Sequence, residues 1–207
     1  MKPLLLIGGG GHCHACIDVI ESEEKHRIAG IVLPTRGDHA DVMGYPVIGA
    51  DEDLSALLAK TPNAIVTVGQ IKSAAIRTKL YDLLKTHGAY LPIIQSPSSY
   101  CSKHAVIGEG TILMHGSLVN AGAQVGANCI INSQALIEHD VEIADHCHIS
   151  TGAKVNGSVC IGKGTFIGSG SIVKEGVRIG AGVVIGAGQL ILKDVPDGTT
   201  FKVHHVK

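Results

Sequence analysis

From residue 107 onward an aliphatic side chain recurs at every sixth position. The series is Ile107, Leu113, Val119, Val125, Ile131, Ile137, Ile143, Ile149, Val155, Ile161, Ile167, Val173, Ile179, Ile185 and Ile191, without a slip. Two residues before each rung the side chain is mostly small, as at Ala105, Thr111, Ser117, Ala123, Cys129 and Ala135. One residue after it there is often a turn former, such as Gly108, Asn120, Gly126 or Gly162. An α-helix repeats every 3.6 residues and an ordinary strand every two, whereas a six-residue period belongs to a parallel β-helix. Fifteen rungs with three sides per coil predict five coils, in which residues eighteen apart stack vertically. With about 4.8 Å between stacked strands, the column is roughly 24 Å long.

Residues 1–94 carry a different pattern, that of a small α/β domain. Apolar Leu4–Ile7 reads as a strand closed by Gly8-Gly9-Gly10-Gly11, and His12–Ser22 as a helix. Arg27–Leu33, Ala64–Val68 and Tyr90–Ile94 read as further strands, and Tyr45–Gly49 as a short extended piece. Helices are expected over Leu54–Lys60, capped by Asp51 or Asp53, and over Ser73–His87. Alternating strands and helices favour a parallel, Rossmann-like sheet. Polar Ser96-Pro97-Ser98-Ser99 marks a linker, placed at 95–104, between this domain (1–94) and the hexad domain (105–207).

Composition fits this division. Aromatic residues are only 3% of the chain and Trp is absent, so the core must be aliphatic. A net charge of −1 leaves no electrostatic footprint for nucleic acid. No apolar run approaches the roughly 20 residues of a membrane span, and the first residues are too short an apolar stretch for a signal peptide. Six cysteines without a dense framework suit a reducing cytoplasm. Cys13-His14-Ala15-Cys16 has CxxC spacing, but no second such pair completes a metal site. Stacked Cys129 and Cys147 read as small apolar filler.

A Gly-rich α/β domain, a Pro-containing linker and a hexad column together resemble the bacterial sugar acetyltransferases. The resemblance is sharpest over Ala135–Ser150, with the sequence ALIEHDVEIADHCHIS. It is closest to enzymes that N-acetylate nucleotide-linked 4-amino-4,6-dideoxy sugars, of the UDP-N-acetylbacillosamine and N-acetylperosamine type. Sialic acid O-acetyltransferases are relatives. The resemblance implies a left-handed β-helix and a closed homotrimer with sites at subunit interfaces. It also implies acetyl-CoA as co-substrate, no metal, and a nucleotide-amino-sugar acceptor, foremost a UDP-sugar. By position, it makes His139 the catalytic base and Asp140 the acid beside it. His148 would contact acetyl-CoA near the thioester carbonyl, and Ser169 and Ala187 would line the CoA groove. Gly10, Gly11, His12 and Gly69 would hold the nucleotide-sugar.

The residues support this chemistry to different degrees. An amine that attacks a thioester must lose a proton, and imidazole is suited to take it near neutrality. His139 lies two residues after rung Ile137, at a corner, and is expected to point outward with Asp140 or Glu138 stabilising the imidazolium. His148 immediately precedes rung Ile149 and is also expected to face outward, as a donor to the developing oxyanion. The two sit half a coil apart, so a second column is needed to bring them together. The family carries two acids after its second strand, where this chain has Pro34 and Thr35, with Asp38 and Asp41 further on. That departure keeps O-acetylation of a sugar hydroxyl as an alternative, and a non-catalytic sugar-binding trimer is the non-enzymatic one. A metal-dependent hydratase on the same fold would need column histidines five apart, and there are none.

Overall fold

The computed structural model describes residues 1–35 and 40–201. Asp38 and the tail beyond Phe201 lie outside the described residues.

The N-terminal unit runs β1 (Lys2–Ile7), α1 (Gly11–Glu23), β2 (His26–Leu33), β3 (Asp41–Val42), β4 (Tyr45–Ala50), α2 (Leu54–Lys60), β5 (Ala64–Val66) and α3 (Ala75–Thr86). The sheet order is β3-β4-β2-β1-β5, parallel except for the β3–β4 hairpin. Leu4, Leu6, Ile17, Ile20 and Ile65 pack on one side of it, and Leu5, Ile7, Leu54, Leu80 and Leu84 on the other. Crossover helices thus cover both faces, as a sheet of near-continuous apolar strands requires.

The second unit is a three-faced parallel β-helix. Every rung falls on the second residue of a two-residue strand, and rungs pair eighteen apart, as in Val125↔Ile143 and Ile149↔Ile167, until the last pairings, Ile179↔Val195 and Ile185↔Phe201, shorten to sixteen. Nearly all rungs are fully buried, together with the small residues two positions earlier. The turn geometry sits elsewhere than expected. The backbone enters the left-handed region at the third residue after the rung, mostly at Gly, but at Asn128, Gln134, Asp140, His146 and Ser158 as well. The residue one after the rung answers to crowding instead: a Cβ on Gly162 would lie 2.5 Å from the backbone nitrogen of Ala181 in the next coil.

Two expectations are corrected at the junction. Residues 95–104 are no linker, because Ile94–Gln95 and Tyr100–Cys101 are already β-helix strands, with Gln95↔Leu113 and Cys101↔Val119 in register. Ser96 is fully buried at a corner, its Oγ 2.7 Å from Nδ1 of His115, so these polar residues form a coil corner. Nor is Tyr90–Ile94 a fourth strand. Only Asn63↔Tyr90 bridges, and Pro92, without an N–H, cannot continue a ladder. The column therefore has faces of seven, six and five strands, more than five rungs per face predict for two of them.

The N-terminal unit covers the seven-strand face, which we call the docked face. Ile94, Ile112 and Ile130 point outward from it into the cluster that contains Cys13, Cys16 and Ile17 of α1. The six-strand face presents Tyr100, Leu118, Leu136, Lys154, Ile172 and Leu190 without a cover, and we call it the apolar face. The five-strand face presents Val106, Gln124, Glu142, Cys160 and Arg178, and, mostly polar, we call it the polar face. Because the rungs interlock, Ile149→Ala should cost about 2–5 kcal/mol, read as a lower denaturant midpoint at unchanged slope.

Candidate active site

His139 and Asp140 occupy the corner between the apolar and polar faces. Both are well exposed, and Nδ1–H of His139 donates to Oδ2 of Asp140 at 3.0 Å. That bond fixes the tautomer and leaves Nε2 as a free lone pair facing outward. Asp140 itself adopts φ 58°, which swings its carboxylate back onto its neighbour. Glu138 is engaged elsewhere, since its Oε2 accepts from Asn120 Nδ2 at 2.9 Å and from the His139 main chain at 3.3 Å. Two glycines missed in the sequence complete the corner. Gly157, one coil further on, makes room for the imidazole, whose Cε1 and Nε2 would lie 2.7 Å from a Cβ there. Gly122, one coil back, makes the same room for Asp140. Adding or subtracting eighteen would have found both.

His148 points out of the column as expected, but the N-terminal unit covers it and leaves only 6% exposed. Its Nδ1–H donates to the carbonyl of Gln70 at 2.6 Å. Its Nε2 accepts from Asn132 Nδ2 at 3.0 Å, and the Asn132 orientation is set in turn by Ser133 N–H donating to Oδ1 at 2.8 Å. Phe166 closes the ring edge-on at 5.2 Å. Burial, with Arg77 nearby, pushes the His148 pKa down to about 4, against the opposing pull of the Gln70 carbonyl. In this geometry the one N–H of the neutral ring is given to the Gln70 carbonyl instead of pointing into open space. The physical reason is a partner 78 residues distant, which the hexad spacing does not report.

The Gly loop lies beside this seam. Gly10 caps α1, and neither Gly10 nor Gly11 has an atom within 4 Å of a Cβ position, so the helix N-terminus is open to a ligand. His12 packs on Gly69, with its ring 6.3 Å from that of His148. Its Nε2 is buried without a partner, and burial, Arg77 and His148 push its pKa down to about 3. The four residues expected to hold the nucleotide-sugar are therefore brought together. Beneath them Arg77, 1% exposed, donates to the carbonyls of Val66 (3.0 Å), Val68 (2.6 Å) and Asn128 (3.1 Å) and to Oδ1 of Asn128 (2.8 Å). This clamp ties α3 to a β-helix corner.

Ser169 and Ala187 stack on the exposed corner between the docked and apolar faces, where Ser169 Oγ meets Ser150 Oγ at 2.9 Å. That corner and the His139 corner flank the apolar face from opposite sides, so one protomer does not bring them together. Among the described residues no cluster of His, Cys, Asp and Glu could hold a metal, and no helix is long and apolar enough to cross a membrane. Burial pushes the thiols of Cys13 and Cys16 up, away from reactivity.

The seam makes stability depend on pH. His12 and His148 have folded pKa values of about 3 and about 4, below the ordinary 6.5. Their contribution is thus full above pH 6.5 and is lost as pH falls through that window, by up to about 1.4 kcal/mol per pH unit for each ring. Melting temperature should drop steadily between pH 6.5 and 4, and His148→Gln should flatten the slope; an unchanged slope would mean that His148 is protonated in the fold.

Comparison with known proteins places this geometry. Residues 3–84 match the PglD N-terminal domain, and residues 104–139 match the bacterial transferase hexapeptide repeat. No curated protein matches the sequence. Among solved structures, the acetyltransferase domain of PglB from Neisseria gonorrhoeae is 30% identical, with TM-score 0.88 over 97% of this chain and 96% of that one. The same domain has been seen in complex with acetyl coenzyme A. PerB from Caulobacter crescentus, in complex with CoA and GDP-perosamine, is 31% identical, with TM-score 0.88 over 97% and 93% of the two chains. WeeI from Acinetobacter baumannii, at 23% identity and TM-score 0.82 over 97% and 96%, shares the fold. With both units matched in order and along nearly their whole length, the chain belongs to the acetyl-CoA-dependent sugar acetyltransferases that join a PglD-type N-terminal domain to a left-handed hexapeptide-repeat β-helix.

Proposed function

We propose that the protein transfers acetyl from acetyl-CoA to the 4-amino group of a nucleotide-linked 4-amino-4,6-dideoxy sugar, with His139 as general base. The observation that carries this reading is the His139–Asp140 pair: an exposed imidazole whose Nδ1–H is held and whose Nε2 is free. In the step, the amine lone pair forms a bond to the thioester carbonyl carbon while Nε2 takes the amine proton. Collapse of the tetrahedral adduct breaks the C–S bond, and the proton passes from the imidazolium to the departing thiolate. Asp140 holds the tautomer and stabilises the charge that forms on His139. The GDP-perosamine bound to PerB supports a nucleotide-amino-sugar acceptor, here held at Gly10, Gly11, His12 and Gly69. Six free cysteines and acetyl-CoA as donor support a cytoplasmic setting.

The working unit on this reading is a homotrimer. The apolar face is uncovered, with Tyr100 56%, Ile172 37% and Leu190 57% exposed. Three copies packing this face around a common axis would set the His139 corner of one protomer against the Ser169–Ala187 corner of the next. The groove between them is where we place acetyl-CoA. His148 then acts from behind, positioning the wall of that groove through Asn132 and Ser133.

The test is CoA release with a panel of UDP-, GDP- and dTDP-amino sugars and with a free sugar hydroxyl acceptor. His139→Ala should lower kcat by roughly 10²–10⁴ with acetyl-CoA binding retained. Gly157→Val should act in the same direction by displacing the ring, and a fully active His139→Ala enzyme overturns the base assignment. Turnover on the hydroxyl acceptor alone would move the reading to O-acetylation. Leu136→Glu with Ile172→Glu should yield monomers by light scattering and abolish turnover, whereas an active monomer would refute the shared site.

A further inference from the structure

One charge interrupts the apolar face. Along its ladder the outward residues are Tyr100, Leu118, Leu136, Lys154, Ile172 and Leu190. Lys154 stands between Leu136 and Ile172, in register with both, and is the only charged member of the stack. Val155 after it is fully buried, so the lysine points out of the column. It is exposed, and among the described residues its side chain has no ion pair or hydrogen bond. The carboxylates of the adjoining corner are taken up elsewhere. Glu138 accepts from Asn120 and the His139 main chain, Asp140 accepts from His139, and Glu175 lies 3.9 Å from Lys174.

On a lone protomer such a residue is a solvated cation. Packing of this face around a threefold axis changes its surroundings. With the columns parallel to the axis, a threefold rotation moves no residue up or down. Each outward residue then meets its own two copies, and the face becomes a stack of three-membered rings. The Leu136 and Ile172 rings keep water from the layer between them, and three ammonium groups meet in that layer. Symmetry brings them no carboxylate, because no other outward residue of this face is charged. Enclosed like charges without a counter-charge are strongly unfavourable, so the ring calls for an anion.

We propose that the three Lys154 side chains, one from each protomer, form a site on the trimer axis for a tetrahedral oxyanion such as inorganic phosphate. The ion shares the symmetry of the ring. One oxygen lies on the axis, and each of the other three accepts a hydrogen bond from one ammonium group. A single chain holds only a third of the site, which lies on a different face from the one that packs against the N-terminal unit. The inference rests on the homotrimer reading above, and it makes the stability of the trimer depend on an anion.

Calorimetric titration of the wild-type protein with inorganic phosphate, in chloride at fixed ionic strength, tests it. Phosphate should bind at one ion per three chains, sulfate should displace it, and the melting temperature should rise with phosphate concentration. Lys154→Arg should keep this behaviour. Lys154→Met and Lys154→Gln should remain trimers by light scattering and lose the one-per-three binding. In phosphate-free buffer Lys154→Met should melt above wild type, because the enclosed charges are gone. If Lys154→Met binds as much phosphate as wild type, the ion sits within the protomer and the proposal falls. If wild type is a trimer that binds no phosphate, the axial site is refuted and the trimer reading stands. If wild type is a monomer, both fall.

Discussion

Everything in the β-helix depends on a register of eighteen residues per coil, kept from Ile94 to Ile191 and shortened to sixteen only at the end, where Val195 and Phe201 pair with Ile179 and Ile185. Each corner must turn the chain within a few residues, and from Gly110 to Gly188 it does so by placing one residue in the left-handed region. For most residues this costs about 1–2 kcal/mol, which is why Gly fills most of these positions. Asp is among the side chains that tolerate the conformation best, and Asp140 takes it at the one corner where a carboxylate must fold back on the preceding histidine. The strict register has a second consequence. Whatever stands at a corner meets the residue eighteen places away, so His139 needs Gly157 and Asp140 needs Gly122. The His139–Asp140 pair is therefore a four-residue arrangement spread over three coils.

The seam between the two units works by opposite rules. Its central cation, Arg77, is fully buried and bonded to three carbonyls and an amide oxygen, with no carboxylate in that set. Burial lowers its pKa to about 10, so it remains charged, and that charge is one reason why His12 and His148 are held neutral. Neutral rings have one donor and one acceptor each, and for His148 both are used, one toward each unit. The N-terminal unit is thus fixed against the β-helix by directional bonds from Gln70 and Arg77 as well as by the apolar contact of α1 with Ile112 and Ile130. Any site that draws residues from both units needs that kind of definition.

The inside of the column was legible because periodicity reports it: all fifteen rungs and their vertical partners follow from counting. His139 and Asp140 were legible for a simpler reason, adjacency in sequence. The outward positions were not. Ile112, His148 and Leu136 all stand one residue before a rung, yet the first is covered by a helix, the second is wired to Gln70 and the third is left uncovered. Spacing gives direction but not what lies in that direction. The junction failed similarly, since Ser96 and Pro97 look like a linker and are a corner whose partner, His115, comes a coil later. Gln95 hid the first rung because a polar side chain stands where the ladder would show an aliphatic one.

Division of labour between the units follows from these constraints. A rung cannot change without a cavity or a clash, and a corner cannot gain a residue without shifting every later contact by a register step. Variation in what is recognised must then accumulate away from the column. The N-terminal sheet offers such a place, because its loops leave the core at strand ends and are not tied to a repeat. The β3–β4 hairpin turns through Met43 and Gly44 at positive φ, beside a loop in which Gly10 and Gly11 leave space open. Joining the two units then falls to the buried seam, where each hydrogen bond lost leaves an unpaired polar group in the interior.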